Sequence, residues 1–268
     1  MKLHILNCGT LCPAMPQRLL YGRGSLTQAG RIPCHCFLLE LKDRLVLIDT
    51  GLGCRDIASP YLRLGALTHW ALRPALKIEE TALHQVQRLG YKPEDVRDIV
   101  VTHLDPDHAG GLRDFPHARV HVHEQEFKVA VGQSPSLIRY KSQQWAHACS
   151  WVRYDQWGED WKGFRCVKGL RGIKEELFLV PLEGHSPGSM GLAFLWQGQW
   201  VFHVGDAIFQ REELTDRCPQ SFMQAFAWQN AFADKQRIAN RQRLQQLHQE
   251  GHVHIICSHD QIPDGLTL

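Results

Sequence analysis

Residues 102–111 read THLDPDHAGG and are the most informative part of the sequence. They follow a run typical of a buried strand, Asp98–Val101, and end in two glycines that let the backbone turn away. Four residues with metal-ligating side chains lie within six positions: His103, Asp105, Asp107 and His108. Buried carboxylates are costly unless they are paired or bind a cation, and histidine together with aspartate suits zinc, iron or manganese. The spacing therefore predicts a metal site after a strand, and the lack of cysteine in this stretch argues against a structural thiolate site.

The segments around this stretch predict both helices and strands. Apolar residues at helical spacing predict a helix from Ile78 to Gly90, and a second helical region covers Gln220–Glu250, with Asp234 as a candidate cap and a basic face exposed to solvent. The other predicted strands are Leu3–Leu6, Cys36–Leu41, Arg44–Ile48, Val120–His123, Leu177–Leu182, Met190–Trp196, Trp200–Val204 and Val253–Cys257. Strands in two groups with helices between them predict two packed sheets covered by helices, in a single domain spanning residues 1–268.

Four more short motifs follow the same order along the chain as the motifs of one known family. They are Asp49-Thr50-Gly51, Gly184-His185-Ser186-Pro187-Gly188-Ser189, Gly205-Asp206 and Ser258-His259-Asp260. Together with residues 102–111 they resemble the D-T-G turn, the H-x-H-x-D-H motif, the G-H-[ST]-x-G loop, the bridging aspartate and the terminal histidine of the metallo-β-lactamase superfamily. The N-terminal stretch and the closing Ser-His-Asp are most similar to the N-acyl-homoserine lactonase branch. The resemblance implies an α/β fold, the four-layer αβ/βα sandwich.

The resemblance also implies a site with two divalent metal ions, for which zinc is favoured. One ion would take His103, the residue at 105 and His185; the other would take Asp107, His108 and His259, with Asp206 and a hydroxide bridging both. The implied reaction is attack of that hydroxide on the carbonyl of an ester, lactone or thioester. Asp107 is also suited to give a proton to the leaving group. The implied partner is a small-molecule substrate.

Asp105 departs from the family pattern, in which this position is a histidine. Two divalent ions, three aspartates and a hydroxide make a neutral site, whereas a histidine in place of Asp105 would leave it with one positive charge. A less positive site should tolerate iron or manganese better than a histidine-rich one. One alternative is therefore a di-iron redox protein resembling the flavodiiron branch, although that branch normally carries a flavodoxin-like domain for which this chain has no room. Another is that Asp105 binds no metal, which leaves a mononuclear site or a non-catalytic metal-binding protein.

Phe209 is a second departure, because homoserine lactonases commonly have a tyrosine near this point. A phenylalanine cannot donate a hydrogen bond to an oxyanion, so it casts doubt on a lactone substrate without affecting the metal chemistry. The substrate pocket would be built from residues 11–35, 52–77 and 133–165, which carry no motif. Residues 52–77 are either an irregular packed loop or a lid, and Trp145 and Trp151 belong either to the core or to the pocket wall.

Composition limits the remaining possibilities. The 268 residues contain 30 Lys+Arg against 28 Asp+Glu, and a formal net charge of +2 gives no support for binding nucleic acid or a membrane surface. No run of 18 apolar residues predicts a spanning helix. Nine scattered cysteines and no signal-peptide pattern predict a cytoplasmic protein, either monomeric or homodimeric. Most of the sixteen histidines, including His121, His123 and His203, are predicted to be packing or surface residues.

Overall fold

Two mixed sheets face each other in the computed structural model, which describes residues 1–132, 139–147, 150–215 and 218–260. The first sheet consists of β1 (Lys2–Leu11), β2 (Ile32–Glu40), β3 (Leu45–Ile48), β4 (Val96–Val100), β5 (Arg119–His123) and β6 (Ser150–Tyr154). The second consists of β7 (Glu159–Trp161), β8 (Phe164–Lys168), β9 (Leu177–Pro181), β10 (Met190–Trp196), β11 (Gln199–His203) and β12 (Val253–Ile256). Each sheet follows chain order from edge to edge. Strands β1 to β3 are antiparallel and β3 to β6 parallel, whereas β7 to β11 are antiparallel and only the β11–β12 pair is parallel.

The helices lie between these strands and outside the sheets. The α-helices are α1 (Gln17–Tyr21), α2 (Cys54–Ala58), α3 (Pro60–Leu64), α4 (Ala66–Leu72), α5 (Ala82–Arg88), α6 (Pro106–Ala109), α7 (Glu124–Phe127), α8 (Phe222–Gln229) and α9 (Asp234–Gln249). Short 3-10 turns cover Ile78–Glu80, Pro93–Asp95, Gly110–Asp114, Ser142–Gln144 and Arg211–Leu214, and a π-helical turn covers Lys128–Gly132. Among the described residues, no helix has both the length and the apolar composition needed to cross a membrane.

The side chains of β2 show why the fold has four layers. Successive residues of a strand point to opposite faces of its sheet. Phe37 and Leu39 pack inward, in the same cluster as Phe194 of β10, whereas Cys36 and Leu38 pack outward, in a cluster that includes Val86 of α5. A strand that is apolar on both faces must be covered on both sides, by the second sheet and by helices.

The outer face of the second sheet is covered in the same way. Phe202 of β11 and Val180 of β9 share a cluster with Leu244 and Leu247 of α9. The order of layers is therefore helix, sheet, sheet, helix. The αβ/βα sandwich expected from the resemblance is confirmed.

Several predicted boundaries need correction. The predicted helix from Ile78 is interrupted at Thr81, whose hydroxyl caps α5. The segment 52–77, expected to be either an irregular packed loop or a lid, contains the short helices α2 to α4. The helical region at 220–250 consists of two helices, and Asp234 is the first residue of α9, not its cap. The basic face of α9 is not wholly solvated, because Arg237 is buried and its guanidinium lies 4.0 Å from a carboxylate oxygen of Glu213.

Candidate metal centre

The loops that carry the predicted ligands leave the sheets at one common edge. Each follows the carboxyl end of a strand, as expected for sites in α/β folds. His103 follows β4, His185 follows β9, Asp206 follows β11 and His259 follows β12. Asp105, Asp107 and His108 lie on the loop that contains His103 and on the helix α6 that the loop enters.

One cluster of ligand atoms contains His103, Asp105 and His185. Oδ2 of Asp105 lies 3.3 Å from Nε2 of His103 and 3.1 Å from Nε2 of His185. Ligands that surround a zinc ion tetrahedrally, each at about 2.0–2.1 Å, are separated from one another by roughly 3.3–3.5 Å. These three side chains are therefore spaced as ligands of a common ion.

A second cluster contains Asp107, His108 and His259. Oδ2 of Asp107 lies 3.5 Å from Nε2 of His259 and 3.9 Å from Nε2 of His108. Cys34, which the sequence did not single out as a ligand, joins this cluster with its Sγ 4.0 Å from the same carboxylate oxygen. Burial raises the pKa of the Cys34 thiol to about 12, so without a metal ion this thiol adds no charge at neutral pH.

Asp206 lies between the two clusters. Its Oδ1 is 3.5 Å from Nε2 of His108, and its Oδ2 is 3.2 Å from Nε2 of His259 and 3.6 Å from Nε2 of His185. One carboxylate therefore contacts imidazoles of both clusters. This is the position that a ligand shared by two ions would occupy.

Three buried polar atoms at the centre of this arrangement make no hydrogen bond to any described residue. They are Nε2 of His103, Nε2 of His108 and Oδ1 of Asp206. A buried polar atom without a partner costs on the order of 1–3 kcal/mol. Because all three atoms face the same small space, bound cations would satisfy them together. The donor set of imidazoles and carboxylates thus fits divalent metal ions.

The outer nitrogens of two of these histidines are held by one carboxylate and one hydroxyl. Asp49 Oδ2 lies 2.9 Å from Nδ1 of His108 and accepts a hydrogen bond from the hydroxyl of Thr102. That hydroxyl in turn lies 3.0 Å from Nδ1 of His103. With Nδ1 engaged, each imidazole keeps Nε2 for the ion. Such outer contacts fix both the tautomer and the orientation of a metal ligand.

The turn that places Asp49 depends on the glycine two residues later. Gly51 has φ +61°, and a Cβ at this position would overlap the backbone oxygen of Cys8. Asp49 itself has φ 56°, in the left-handed region that side chains rarely adopt. This backbone conformation explains why Asp-Thr-Gly occurs at this point of the sequence.

Glu126 joins two of the ligand loops and was not identified from the sequence. It is fully buried on α7, and its Oε1 accepts hydrogen bonds from the backbone N–H of Leu104 and the hydroxyl of Tyr140. Its Oε2 accepts from the Ser186 hydroxyl at 2.7 Å and from the N–H of Gly188 at 3.0 Å. The loops carrying His103 and His185 are thus fastened to one carboxylate.

Arg139 was also missed, because it belongs to no motif. Its Nε donates to Oδ1 of Asp105 at 2.7 Å and its Nη2 donates to Oδ2 at 2.8 Å. Its Nη1 donates to the backbone oxygens of His185 and Asn230, at 2.8 and 2.9 Å. The carboxylate at the position that departs from the family pattern is therefore paired with an arginine.

The ionisation of the site follows from burial and from these neighbours. Burial alone would raise the pKa of Asp105, but Arg139 and His103 hold it well below its usual range. Burial, together with the charge of Arg139, lowers the pKa of His185 to about 3, so this imidazole is neutral and able to bind a metal. Burial opposes protonation of His108 and His259 as well, yet the Asp206 carboxylate raises both pKa values well above the usual range. The negative charge of Asp206 thus favours positive charge at this place.

Phe209 lies against two of the candidate ligands, as its place in the sequence implied. Its ring stacks on His259 at 5.6 Å between centroids and meets the His185 ring edge-on at 5.4 Å. It is buried, so the second departure from the family pattern lies beside the site and not on a distant surface.

The other histidines and tryptophans have structural contacts. His121 contacts Asp98 and Tyr154, and His203 packs edge-on against Phe37 inside the sandwich. Trp145 is buried in the core outside the first sheet, where Trp151 also packs. Trp145 is therefore a core residue, and Trp151 is a partly buried residue that packs against the same core. Of the predicted pocket segment 133–165, residues 133–138 and 148–149 lie outside the described residues.

Comparisons with known proteins agree with this geometry. The sequence profile of the Metallo-beta-lactamase superfamily matches residues 29–126. A probable metallo-hydrolase of Mycobacterium tuberculosis (strain ATCC 25618 / H37Rv) is 39% identical over 273 residues, which cover 100% of this chain and 82% of that protein. An N-acyl homoserine lactonase of Bacillus thuringiensis is 24% identical over 189 residues, 70% of this chain and 69% of that protein.

Solved structures show the same fold. An N-acyl homoserine lactone hydrolase with the product N-hexanoyl-L-homoserine bound at its catalytic metal center superposes with a TM-score of 0.70 at 21% identity, covering 97% of this chain and 93% of that one. A dizinc quorum-quenching lactonase superposes with a TM-score of 0.63 at 17% identity, covering 97% and 88%.

Proposed function

The chain belongs to the metallo-β-lactamase superfamily, and we propose that it is a dinuclear metallo-hydrolase that cleaves an ester, lactone or thioester at its carbonyl carbon. Its similarity to a probable metallo-hydrolase and to an N-acyl homoserine lactonase identifies it as a metallo-hydrolase related to lactonases. The presence of two metal ions and the class of substrate are the parts that we propose. Zinc is the expected metal, and the substrate is expected to be a small molecule.

The observation that carries the proposal is the group of unpartnered ligand atoms around Asp206. Nε2 of His103 and Nε2 of His108 belong to different clusters, and both face the Asp206 carboxylate. Two groups that share no residue, His103 with Asp105 and His185, and Cys34 with Asp107 and His259, are each spaced to hold an ion, and Asp206 contacts histidines of both groups. Two ions sharing Asp206 would satisfy both.

The chain's own residues would hold the ions and orient the substrate. His103, Asp105 and His185 would bind one ion, and Asp107, His108 and His259 the other. Bound divalent ions of this kind lower the pKa of a water and polarise a carbonyl oxygen. Buried imidazoles around a shared carboxylate exclude competing solvent, and Asp49 and Thr102 keep two of the imidazoles in place.

Asp107 has the exposure that a proton donor needs. Its side chain is partly accessible, whereas those of His103 and His108 are buried. A carboxyl group at the rim of the site can reach both an ion and a leaving group. We assign to Asp107 the transfer of a proton to the leaving oxygen or sulfur, in addition to metal binding.

The experiment combines metal analysis with a hydrolysis panel. Protein purified without added metal is analysed for metal content, stripped with a chelator, reloaded with zinc, manganese or iron, and tested on lactones, thioesters and simple esters. We expect about two divalent ions per chain and hydrolysis that disappears on stripping and returns on reloading. His103→Ala should abolish hydrolysis, and His254→Ala, at an exposed position on β12, serves as the matched control.

Three outcomes would contradict the proposal. Fewer than two ions in fully loaded protein would contradict the dinuclear site. Redox-active iron with turnover of oxygen or nitric oxide, and no hydrolysis, would support a di-iron redox protein. Metal binding without either activity would support a non-catalytic metal-binding protein.

An Asp107→Asn variant with both ions and full turnover would exclude the proton-transfer role of Asp107.

A further inference from the structure

The contact between Arg139 and Asp105 is a close and directional one at the metal centre. Two nitrogens of the guanidinium donate to the two oxygens of one carboxylate, at 2.7 and 2.8 Å. Paired hydrogen bonds between charged partners in this geometry are roughly twice as strong as neutral ones. The two side chains are less than one fifth exposed, so solvent screens the pair only partly.

The pairing leaves Asp105 free to bind an ion. Its Oδ2 lies toward the imidazoles, 3.1 Å from Nε2 of His185 and 3.3 Å from Nε2 of His103. A carboxylate offers about four lone-pair sites, so Oδ2 can accept from Arg139 and still coordinate a cation. Arg139 thus fixes the carboxylate without taking it out of the cluster.

The charge of the pair equals that of the histidine found at this position in the family. Without Arg139, two divalent ions, three carboxylates and one hydroxide give a neutral site, as counted from the sequence. The guanidinium adds one positive charge, which is the total for a site with a neutral imidazole at position 105 and no arginine. The Asp105–Arg139 pair, which has no net charge, therefore stands where the family has a neutral imidazole.

We propose that Asp105 and Arg139 act as one unit that replaces this histidine: Asp105 supplies the ligand atom, and Arg139 supplies the compensating charge and holds the carboxylate in place. The inference rests on the proposed dinuclear function. It makes Arg139 a positioning residue, and it predicts that Asp105 cannot be exchanged for histidine without loss while Arg139 is present.

The Asp105→His variant and the Asp105→His/Arg139→Gln double variant should differ in zinc affinity. In Asp105→His, the Asp105 carboxylate no longer separates the Arg139 guanidinium from the ion, and two positive charges that face each other in a partly buried site repel. Zinc at this site should then bind at least tenfold more weakly than in the wild type. Adding Arg139→Gln removes this positive charge from beside the ion, so the double variant should regain at least tenfold of the lost affinity.

A merely structural role for Arg139 predicts a different pattern. The guanidinium also holds the backbone oxygens of His185 and Asn230. If those contacts were its whole contribution, Arg139→Gln would weaken zinc binding by the same factor whether residue 105 is aspartate or histidine. Recovery of affinity in the histidine background separates charge compensation from scaffolding.

The test measures zinc affinity by chelator competition and zinc content by elemental analysis, for the wild type, both single variants and the double variant. Arg153→Gln in the Asp105→His background is the control, because Arg153 is half exposed and pairs with Glu124. Arg153→Gln should restore no zinc affinity. Thermal unfolding in excess chelator shows whether each variant is folded, and the ion of the other cluster serves as an internal reference.

The outcomes distinguish the two proposals. Zinc affinity that Arg139→Gln restores in the Asp105→His background, and that Arg153→Gln does not restore, supports the pairing. Wild-type protein with two zinc ions, combined with no recovery or with an unimpaired Asp105→His variant, would overturn the pairing and leave the proposed function intact. Wild-type protein with fewer than two zinc ions would overturn the dinuclear function and the pairing with it.

Discussion

Oδ2 of Asp49 lies 2.9 Å from Nδ1 of His108, on the side of the imidazole opposite to Nε2, the atom that faces Asp206. The carboxylate is buried, and its other oxygen accepts the backbone N–H of Thr102 at 2.7 Å. Asp49 is therefore fixed by the strand that leads to the ligands and in turn orients one of them. It acts on the site through His108 and does not itself reach the space between the clusters.

We expect Asp49→Asn to weaken metal binding at the cluster of Asp107, His108 and His259. The amide is nearly the same shape, but it loses the negative charge that makes the imidazole a better ligand, and such changes typically cost about 10- to 100-fold in affinity. Titration with zinc and a competing chelator measures the change. Asp43→Asn, at an exposed carboxylate, should have no effect, and equal affinities for Asp49→Asn and the wild type would contradict this role of Asp49.

Metal removal should destabilise the protein. The ions would bind the folded chain and satisfy buried atoms of His103, His108 and Asp206 that otherwise have no partner among the described residues. A ligand at 100 times its Kd stabilises by about 2.7 kcal/mol per site, equivalent to roughly 5–10 °C in Tm for a chain of this size. Thermal unfolding with zinc and with chelator measures the difference. An unchanged Tm would contradict metal binding at this site.

The sequence was sufficient for the fold and for the position of the site, because both depend on short local patterns. The histidines and aspartates of residues 102–111 follow a buried strand, and the glycines at 51 and 205 mark tight turns. The structure brings together all the residues that these motifs predicted. The two packed sheets followed from the grouping of the predicted strands, and the four-layer order was implied by the resemblance.

The supporting residues could not be predicted, because their partners are distant in the sequence. Arg139 contacts Asp105 across 34 positions, and Glu126 contacts Ser186 across 60. Neither residue belongs to a motif, and an arginine or a glutamate in a polar segment is usually a surface residue. Cys34 reaches Asp107 across 73 positions for the same reason, as the chain returns through β2.

Glu126→Gln should lower both the free energy of unfolding and the affinity of the site for zinc. The carboxylate accepts four hydrogen bonds, whereas a glutamine would turn its NH2 group toward two donors, the Ser186 hydroxyl and the Gly188 N–H. Leaving buried donors without acceptors costs about 2–3 kcal/mol, and the His185 loop would lose its anchor. Chemical denaturation and zinc affinity measure the two effects. Glu124→Gln, two residues earlier and paired with Lys128, is the control and should change neither property.

A pair of leucines on β10 tests the four-layer packing. Leu192 is fully buried between the sheets, whereas Leu195 is about half exposed on the same strand. Leu192→Ala should cost about 2–5 kcal/mol through lost burial and a residual cavity, or roughly 4–20 °C in Tm. Leu195→Ala should cost less than about 1 kcal/mol. Similar losses for the two variants would contradict the placement of β10 in the inner layer.

Phe209 offers a test of the substrate class. Its ring lies against His185 and His259. We expect a hydroxyl group added to this ring to reach the carbonyl oxygen of the substrate. Removing one oxyanion donor from an enzyme typically costs about 10²- to 10³-fold in kcat, so a tyrosine that adds one should raise kcat by roughly tenfold or more. We expect this gain for Phe209→Tyr with lactones and esters, at unchanged zinc content.

Phe226→Tyr is the matched control, because Phe226 packs on the far side of Phe209 with its ring 6.0 Å away. The added hydroxyl there should leave kcat unchanged. If Phe209→Tyr binds two zinc ions and gains activity on one of the three substrate classes alone, the added hydroxyl reaches the carbonyl oxygen of that class only. If it gains no activity on any of the three classes, the ring position does not face the reacting oxygen, and the pocket opens on another side of Asp206.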